Sequence, residues 1–173
     1  MKKSFVSKCI LPVLVAALAQ GCASDYSWRS SVPADMRTVA VPTFRNESDV
    51  QEIGALMSGQ LAREFQREGT FKVRVEGDSA LEIQGVVKSA APTVAAYDRR
   101  SGLRVASYDM SATVHVSVID KRNGKVLVDN RPYSATASFA AMQDISTAQR
   151  DASGRVAESL AAQIVDDVLN LKW

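Results

Sequence analysis

The longest alternating stretch of the chain is LRVASYDMSATVHVSVID, residues 103–120. One set of alternate positions is mainly apolar and comprises Ala106, Tyr108, Met110, Ala112, Val114, Val116 and Val118. The intervening positions are polar and comprise Ser107, Asp109, Ser111, Thr113, His115 and Ser117. A period of two over this length predicts a long β-strand with one buried face. This strand fixes the sheet on which the rest of the chain must pack.

Two further strands flank this one in the sequence. Upstream, residues 80–88 alternate between apolar and polar side chains, which predicts a half-buried strand. Downstream, Asn123-Gly124 predicts a hairpin turn, because this pair readily takes positive φ angles. A last strand is predicted over residues 125–139, with a bulge or an edge at the interruption Asn130-Arg131-Pro132.

An earlier strand is predicted at residues 38–41, TVAV, where β-branched side chains predominate. Pro42 follows, and a proline cannot donate a hydrogen bond to a neighbouring strand. The first strand is therefore expected to lie at an edge of the sheet or to end at this proline. Residues 71–75, FKVRV, form a short strand or an extended lead-in to the next one.

Two helices are predicted from apolar side chains that recur every three or four residues. The first is expected to begin with Ser48 as its N-cap, paired with Gln51 in a capping box, and to end at Gly69. Gly54 and Gly59 inside it indicate close packing against a sheet. Its apolar stripe is Val50, Ile53, Leu56, Met57, Leu61 and Phe65, and that of the C-terminal helix is Val156, Leu160, Ile164 and Val168.

The order of the elements is strand, helix, strand, strand, strand, helix. A right-handed crossover makes the first two main strands parallel, and hairpins make the later pairs antiparallel. We therefore predict an α+β fold, a two-layer sandwich with two helices on one face of a mixed sheet of about four strands. The opposite face, rich in Ser, Thr and Ala, is either exposed to solvent or covered by another protein.

The first 22 residues have the features of a secretory signal. The chain starts with the basic sequence MKK, and an apolar run too short to span a bilayer follows over residues 5–19. The sequence LAQGC at residues 18–22 resembles a bacterial lipobox, in which Cys22 becomes the acylated first residue. The alternative is an ordinary signal peptide followed by an incidental cysteine. The expected segments are a lipoprotein signal peptide at 1–21, a lipidated N-terminus and tether at 22–35, and a single domain at 36–173.

Lipidation at Cys22 would decide the compartment of the protein. Several acyl chains on one cysteine anchor a protein durably, since each buried CH₂ contributes about 0.8 kcal/mol. By resemblance to enterobacterial lipoproteins, an aspartate directly after the cysteine would retain the protein in the inner membrane, but residues 23 and 24 are Ala and Ser. The expected location is the periplasmic face of the outer membrane.

Composition and spacing argue against several classes of function. Loss of residues 1–21 removes three of the 21 basic residues, which leaves 18 against 19 acidic residues and a net charge of −1. No cluster of His, Cys, Asp and Glu has metal-ligand spacing, so neither a metal nor a cofactor is expected. The aromatic residues are too scattered to stack on RNA, and no nucleic-acid partner is expected.

Two polar features could be taken for catalytic groups. His115 is the only histidine, and it lies on the polar face of a strand. A solvent-exposed strand residue is a simpler interpretation of it than a catalytic base. Asp166 and Asp167 adjoin on a helix, so their side chains point about 100° apart and cannot form a carboxylate dyad. No glycine-rich phosphate loop or nucleophile elbow occurs. We therefore expect no enzymatic activity and no catalytic residue.

Basic side chains cluster at the ends of the predicted strands. One group, Arg99, Arg100 and Arg104, lies at the tip between the second and third strands, and Arg150 follows the last strand at the same end. The opposite end of the sheet carries Lys121, Arg122 and Lys125. Guanidinium groups grip phosphate with a fork of donors, so the four arginines are candidate ligands for an anionic glycolipid headgroup. The alternative is that basic tips serve only to keep the β-structure soluble.

Two motifs of the chain resemble the lipopolysaccharide-assembly lipoproteins of the LptE type. The first is MRTVAVPTFRNES at residues 36–48, which follows the tether and precedes an amphipathic helix. The second is GDSALEIQG at residues 77–85, an acidic run of small residues that enters a strand and ends in glycine. The order of strands and helices agrees as well, so the resemblance covers nearly all of residues 22–173. The phrase VAVPTFRNES also occurs loosely in activators of peptidoglycan synthases and in curli-secretion proteins.

The resemblance implies a role without catalysis. Such lipoproteins plug a large outer-membrane β-barrel translocon, help it fold, and bind lipopolysaccharide on its way into the outer leaflet. In the family, the tip between the second and third strands carries a basic residue implicated in glycolipid binding, and Arg99 or Arg100 occupies that position here. A second basic site follows the last strand in the family, where this chain has mainly uncharged residues until Arg150.

Two other functions are weighed against this one. A lipoprotein that activates a peptidoglycan synthase would need a long tether across the periplasm, whereas about 15 residues span at most about 50 Å. A pore-forming secretion subunit would need a segment able to become a membrane β-hairpin, and no stretch outside the core strands has that alternation. The translocon plug is therefore the leading expectation, and the synthase activator is the alternative.

Overall fold

The sheet and helices expected from the sequence are present in the computed structural model of the chain. It describes residues 32–74, 77–100, 102–141 and 144–173, so Cys22, the predicted signal peptide and most of the tether lie outside the described residues. In the described part of the chain there are six strands, β1 (Thr38–Ala40), β2 (Arg45–Asn46), β3 (Lys72–Val73), β4 (Leu81–Tyr97), β5 (Val105–Asp120) and β6 (Lys125–Ala140). The same part contains two α-helices, α1 (Ile53–Glu68) and α2 (Ile145–Leu169).

The strands form one mixed sheet in the order β3-β1-β4-β5-β6, with β2 also paired to β4. β1 runs parallel to β4, whereas β4, β5 and β6 form two antiparallel pairs. The predicted two-layer α+β fold is confirmed. The described sheet has six strands rather than about four, because two two-residue strands add short pairings. β3 lies within the segment 71–75, the predicted short strand or lead-in, whereas β2 is not predicted by the sequence.

Pro42 divides what would otherwise be one continuous first strand. β1 pairs with β4 through Val39 opposite Leu81, and β2 resumes the pairing with Arg45 opposite Val86. From Val39 to Arg45 the chain advances six residues, whereas the partner strand advances only five, from Leu81 to Val86. One residue between β1 and β2 is therefore left unpaired with β4. A proline is tolerated there because no N–H is required. Of the two alternatives expected for the first strand, an end at Pro42 is confirmed, since β1 stops two residues before it, whereas an edge position is wrong, because β1 lies between β3 and β4.

The core lies between the sheet and the two helices. The apolar positions of β5 face it, and Met110, Ala112, Val114, Val116 and Val118 are at most 2% exposed. The helices contribute the fully buried side chains of Ile53, Met57, Leu61, Phe65, Val156, Leu160 and Ile164. Burying each large apolar side chain contributes about 1.5–3 kcal/mol. The alternate positions of β5 lie half-buried on the open face of the sheet, as the sequence predicts.

Phe44 is wedged between the sheet and α1, and two glycines make room for it. Its ring lies over Gly85 of β4, and its backbone carbonyl lies against Gly54 of α1. A Cβ atom at either glycine would overlap Phe44 well inside van der Waals contact. The expectation of close packing is therefore confirmed for Gly54. It is wrong for Gly59, where an added Cβ would find only the flexible end of Arg63, 3.9 Å away.

The beginning of α1 differs from the prediction. The helix starts at Ile53, after Glu52 in a left-handed conformation, so the predicted N-cap at Ser48 is wrong. The hydroxyl of Ser48 instead donates to Asn46 Oδ1, and Asn46 Nδ2 donates to Val50 O. This asparagine-centred turn takes the place of the capping box. The predicted end of the helix at Gly69 is confirmed, since this glycine adopts a φ of 85° as the C-cap.

Asp144 is the N-cap of α2. Its carboxylate accepts hydrogen bonds from the N–H and the hydroxyl of Thr147 and from the hydroxyl of Ser146. These donors, the Thr147 hydroxyl first, lower the pKa of Asp144 to about 2. A charged carboxylate at this position also faces the positive end of the helix dipole. The cap thus fixes the place where the chain turns from β6 into α2.

The two glycines of α1 provide a matched test of the Phe44 wedge. Gly54→Ala should lower the free energy of unfolding by about 1–3 kcal/mol, because the added methyl group overpacks against the Phe44 carbonyl. Gly59→Ala should raise it by roughly 0.5–1 kcal/mol, because the methyl group meets open space and alanine favours the helix. Urea unfolding of both variants measures the two effects. A stabilised Gly54→Ala variant would show that α1 does not approach Phe44 this closely.

Candidate functional site

The β4–β5 hairpin extends past the helices at one end of the sheet. The residues of β4 from 91 to 97 are all exposed, whereas the first half of the strand alternates between buried and exposed positions. The turn at this end comprises residues 98–100 and 102–104 of the described chain, which we call the arginine tip. The turn after β5 lies at the opposite end, about 50 Å away along a strand of 16 residues.

Asp98 holds the backbone of the arginine tip in place. Its N–H donates to Arg104 O and its carbonyl accepts from the N–H of Gly102, both at 2.8 Å. Its carboxylate accepts from the N–H of Arg100 at 2.9 Å. Gly102 adopts a φ of 60°, which glycine does without steric cost. Asp and Gly at these positions are an ordinary turn signal, and here they present the arginines to solvent.

Three of the four predicted arginines meet at this tip. Arg99, Arg100 and Arg104 line an open cavity of about 580 Å³, whose wall is completed by Tyr97, Asp98, Val105, Ala106 and Ala141. Within the described part of the chain, neither Arg99 nor Arg100 forms an ion pair, and Asp98 is the one carboxylate in the described lining. Three guanidinium groups against one carboxylate leave the cavity cationic. Arg99 and Arg100 can therefore bind phosphate groups without first breaking an ion pair of the described chain.

Arg150 lies at the same end of the molecule but outside this cavity. It is exposed on α2, five residues before Arg155, whose Nη2 donates to Ser138 O at 2.8 Å. Ser138 is two residues from the end of β6, so this part of α2 runs beside the arginine-tip end of the sheet. The described lining of the tip cavity does not include Arg150. The structure therefore brings together three of the predicted site residues and leaves the fourth on a helix.

The basic residues at the opposite end of the sheet are largely neutralised. The guanidinium of Arg122 forms two hydrogen bonds with the carboxylate of Asp120, at 2.9 and 3.0 Å, and pairs with Asp35 as well. Lys121 Nζ lies 2.7 Å from Glu82 Oε2. The hydrogen bonds from Arg122 hold the pKa of Asp120 below its usual value, even though this carboxyl is buried. This end is built for internal pairing rather than for an external anion.

Arg122 also joins the N-terminal lead-in to the sheet. The 3-10 turn Ala34–Met36 supplies both Asp35 and Met36, whose sulfur accepts a hydrogen bond from Arg122 Nη2. Val32, the first described residue, is 2% exposed, and its carbonyl accepts two hydrogen bonds from Arg37. The sequence groups Arg122 with the basic side chains of this tip, and its pairing with Asp35 is not predictable because a partner 87 residues away leaves no local signal.

Side chains on the open face of the sheet are hydrogen-bonded to one another. The hydroxyl groups of Thr113 and Ser134 are hydrogen-bonded to each other at 3.0 Å, and Ser138 Oγ donates to Asp109 Oδ1 at 2.6 Å. His115 Nδ1 lies 3.1 Å from Asn130 Oδ1, so the histidine belongs to this surface network of strand side chains. A face with its polar groups already paired can lie against another protein at little cost in desolvation.

The acidic pair on α2 makes separate structural contacts. Asp167 accepts hydrogen bonds from Tyr133 Oη at 2.7 Å and from Arg131 Nη1 at 2.6 Å, whereas Asp166 Oδ1 accepts from Asn170. Burial, together with the bond to Asp167, raises the pKa of Tyr133 to about 12. Among the described residues, no three His, Cys, Asp or Glu side chains are grouped as a metal site. In the same residues, no helix has both the length and the apolar character needed to cross a bilayer.

The sequence matches the family model of the LptE, lipopolysaccharide-assembly, proteins over residues 36–168. No curated protein is a significant match to the chain. The matched region extends from the 3-10 turn to the last turn of α2, and it includes the arginine tip and both helices.

Solved structures of several bacterial proteins have the same fold. A putative lipoprotein from Caulobacter crescentus superposes with a TM-score of 0.52 at 16% identity, over 73% of this chain and 88% of that one. A hypothetical protein, CT253, from Chlamydia trachomatis has a TM-score of 0.52 at 15% identity, over 78% and 96%. A minor lipoprotein from Acinetobacter baumannii has a TM-score of 0.50 at 14% identity, over 78% of this chain and 93% of that one. At these identities the likeness shows the fold alone.

Removing the carboxylate of Asp98 should loosen the arginine tip without unfolding the domain. In Asp98→Ala we expect faster hydrogen exchange at the amides of residues 98–104, because the acceptor for Arg100 N–H is gone. The free energy of unfolding should change by less than about 1 kcal/mol, since the tip packs no core side chain. Asp98→Asn keeps an acceptor oxygen and should exchange like the wild type. Equal exchange in all three proteins would contradict the assigned role of Asp98.

Proposed function

The chain belongs to the LptE family of lipopolysaccharide-assembly proteins, and on that basis we propose that it is an outer-membrane lipoprotein that binds lipopolysaccharide through its arginine tip. We further propose that it plugs the β-barrel lipopolysaccharide translocon and assists the folding of that barrel. The role is one of binding and assembly, without catalysis. The observation that carries the proposal is the cationic cavity formed by Arg99, Arg100 and Arg104 at an exposed end of the sheet.

Electrostatics support the tip as the glycolipid site. The mature chain is nearly neutral, so attraction to an anionic headgroup has to come from a local cluster rather than from the whole surface. Arg99 and Arg100 have no ionic partner in the described chain, whereas Arg122 at the other end is already paired. An unpaired guanidinium can offer its fork of donors to a phosphate directly. Arg150 is proposed as a more distant contact from α2.

Acylation of Cys22 is the proposed anchor. Ten residues separate Cys22 from Val32, where the chain is already packed against the domain, so this segment spans at most about 36 Å. The arginine tip lies at the end of the sheet opposite to the lead-in, about 50 Å further on. A short anchor of this kind keeps the domain next to the membrane that holds it. The reach favours a partner in the same membrane over a peptidoglycan synthase across the periplasm.

The open face of the sheet is the proposed contact with the barrel wall. β4, β5 and β6 present Ser, Thr and Ala side chains there, many of which are already hydrogen-bonded to one another. Small side chains allow a close, flat contact with another sheet. In the part of the open face rich in Ser, Thr and Ala, few long side chains would have to be ordered, so little conformational entropy would be lost on docking there.

Affinity capture from detergent-solubilised envelopes tests the partner. The full-length, processed protein with a C-terminal tag should recover a large outer-membrane β-barrel protein, identified by mass spectrometry. A variant with Thr113→Arg and Thr136→Arg on the open face should lose that barrel, because two buried charges cannot be accommodated at a flat contact. Recovery of a peptidoglycan synthase instead, with no barrel, would favour the alternative function. Mass spectrometry of the mature N-terminus in the same sample checks the acylation of Cys22.

Charge reversal at the tip tests the glycolipid site. Arg99→Glu with Arg100→Glu should weaken lipopolysaccharide binding at least tenfold, because two phosphate ligands become repulsive. The matched control is Lys72→Glu with Lys125→Glu, which changes the net charge equally at the other end of the sheet. Binding is measured at one fixed salt concentration, since screening alone weakens exposed contacts. Equal losses in both double variants would mean that net charge, and not the arginine tip, governs binding.

A further inference from the structure

Large apolar side chains are exposed mainly at one end of the molecule. Among the described residues, the strongly exposed ones are Val94, Tyr97, Leu103, Val126 and Ile145. Val94 and Tyr97 lie on the projecting part of β4, and Leu103 lies in the arginine tip itself. Ile145 begins α2, five residues after the end of β6, at the same end of the sheet. Four of these five side chains thus lie at the arginine-tip end, where Tyr97 lines the cationic cavity and Leu103 adjoins Arg104 in the turn. Val126 alone of the five lies at the other end.

Leu103 is the most exposed of the group, at 91%. It stands between Gly102 and Arg104 in a turn, where neither packing nor backbone geometry requires a leucine. Single apolar residues on a surface are ordinary. A group of them beside three arginines is a different chemical surface, because apolar and cationic areas lie side by side. An amphiphile with an anionic head complements both.

An apolar row connects the tip with the core. Val94 of β4 is opposite Tyr108 of β5, which is opposite Phe139 of β6. The rings of Tyr108 and Phe139 stack with centroids 5.4 Å apart and planes 19° from parallel. This row lies on the same face as the helices, two positions beyond the buried Met110. Val94 is 44% exposed because the helices do not reach it.

We propose that the arginine tip binds its glycolipid as a whole amphiphile, with Leu103 and Tyr97 in contact with the acyl chains while Arg99 and Arg100 hold the headgroup phosphates. The inference rests on the proposed function and adds the acyl chains to the ligand. Charge complementarity favours this occupant: an uncharged lipid would leave Arg99 and Arg100 without an anionic partner, and a free phosphate would leave Leu103 in water. The surface therefore fits an anionic amphiphile, which under the proposed function is a phosphorylated, acylated glycolipid.

Two probes separate the two halves of the site. One is a diphosphorylated, acylated glucosamine disaccharide dispersed in a mild nonionic detergent, and the other is the same bisphosphate after complete deacylation. We expect the wild-type protein to bind the acylated probe at least tenfold more tightly. Leu103→Ser should weaken binding of the acylated probe about tenfold, as loss of one buried leucine contact implies, and leave the deacylated probe unchanged. Tyr97→Ser should likewise weaken binding of the acylated probe and leave binding of the deacylated probe unchanged.

The controls distinguish this inference from the proposed function. Val126→Ser removes an exposed side chain at the opposite end and should alter neither affinity, whereas Arg99→Glu with Arg100→Glu should weaken both probes. Equal wild-type affinity for the two probes, or an unchanged Leu103→Ser variant, would overturn the acyl-chain contact and leave the glycolipid function standing. Wild-type protein that binds neither probe would overturn the proposed function as well. Equal weakening of Leu103→Ser toward phosphatidylglycerol micelles would reassign the contact to the membrane surface and overturn the inference.

Discussion

The difference in rise between strands and helices is the constraint on which this structure depends. β5 has 16 residues and extends about 53 Å, whereas the 25 residues of α2 extend about 38 Å and the 16 of α1 about 24 Å. Helices packed along such a sheet cannot cover its full length. One end of the β4–β5 hairpin is left without a second layer, and this is the end that carries the arginines. The architecture thus creates an exposed platform without any insertion into the fold.

Much of the fold follows from local patterns in the sequence. The alternation in β5 fixes which face of the sheet is buried, and the structure agrees at each position from Met110 to Val118. The start of α1 could not be predicted in the same way, because Asn46 competes with Ser48 for the groups that would form a capping box. Strand β2 is two residues long and depends on pairing with a distant segment, so a single period gives no signal for it. Strand β3 lies within the predicted short strand at residues 71–75, but its place beside β1 depends on long-range pairing.

The same distinction holds for the candidate site. Arg99, Arg100 and Arg104 share one short turn, so their proximity is a local property that the sequence displays. Whether Arg150 joins them depends on the rotation of α2 about its axis, which is set by packing across the whole core. Leu103 was missed because one apolar residue in a turn makes no pattern. Its exposure becomes informative only when the other uncovered side chains are found around it.

The C-terminus packs near the first strand, which has a practical consequence for handling the protein. The ring of Trp173 lies 6.1 Å from that of Phe71, and Phe71 precedes β3, the neighbour of β1 in the sheet. Any extension fused after Trp173 would therefore emerge near the lead-in at Val32 and far from the arginine tip. Fluorophores, surface-coupling handles and reporter enzymes could be attached there without obstructing the proposed glycolipid site. Fusions at the hairpin, by contrast, would cover that proposed site.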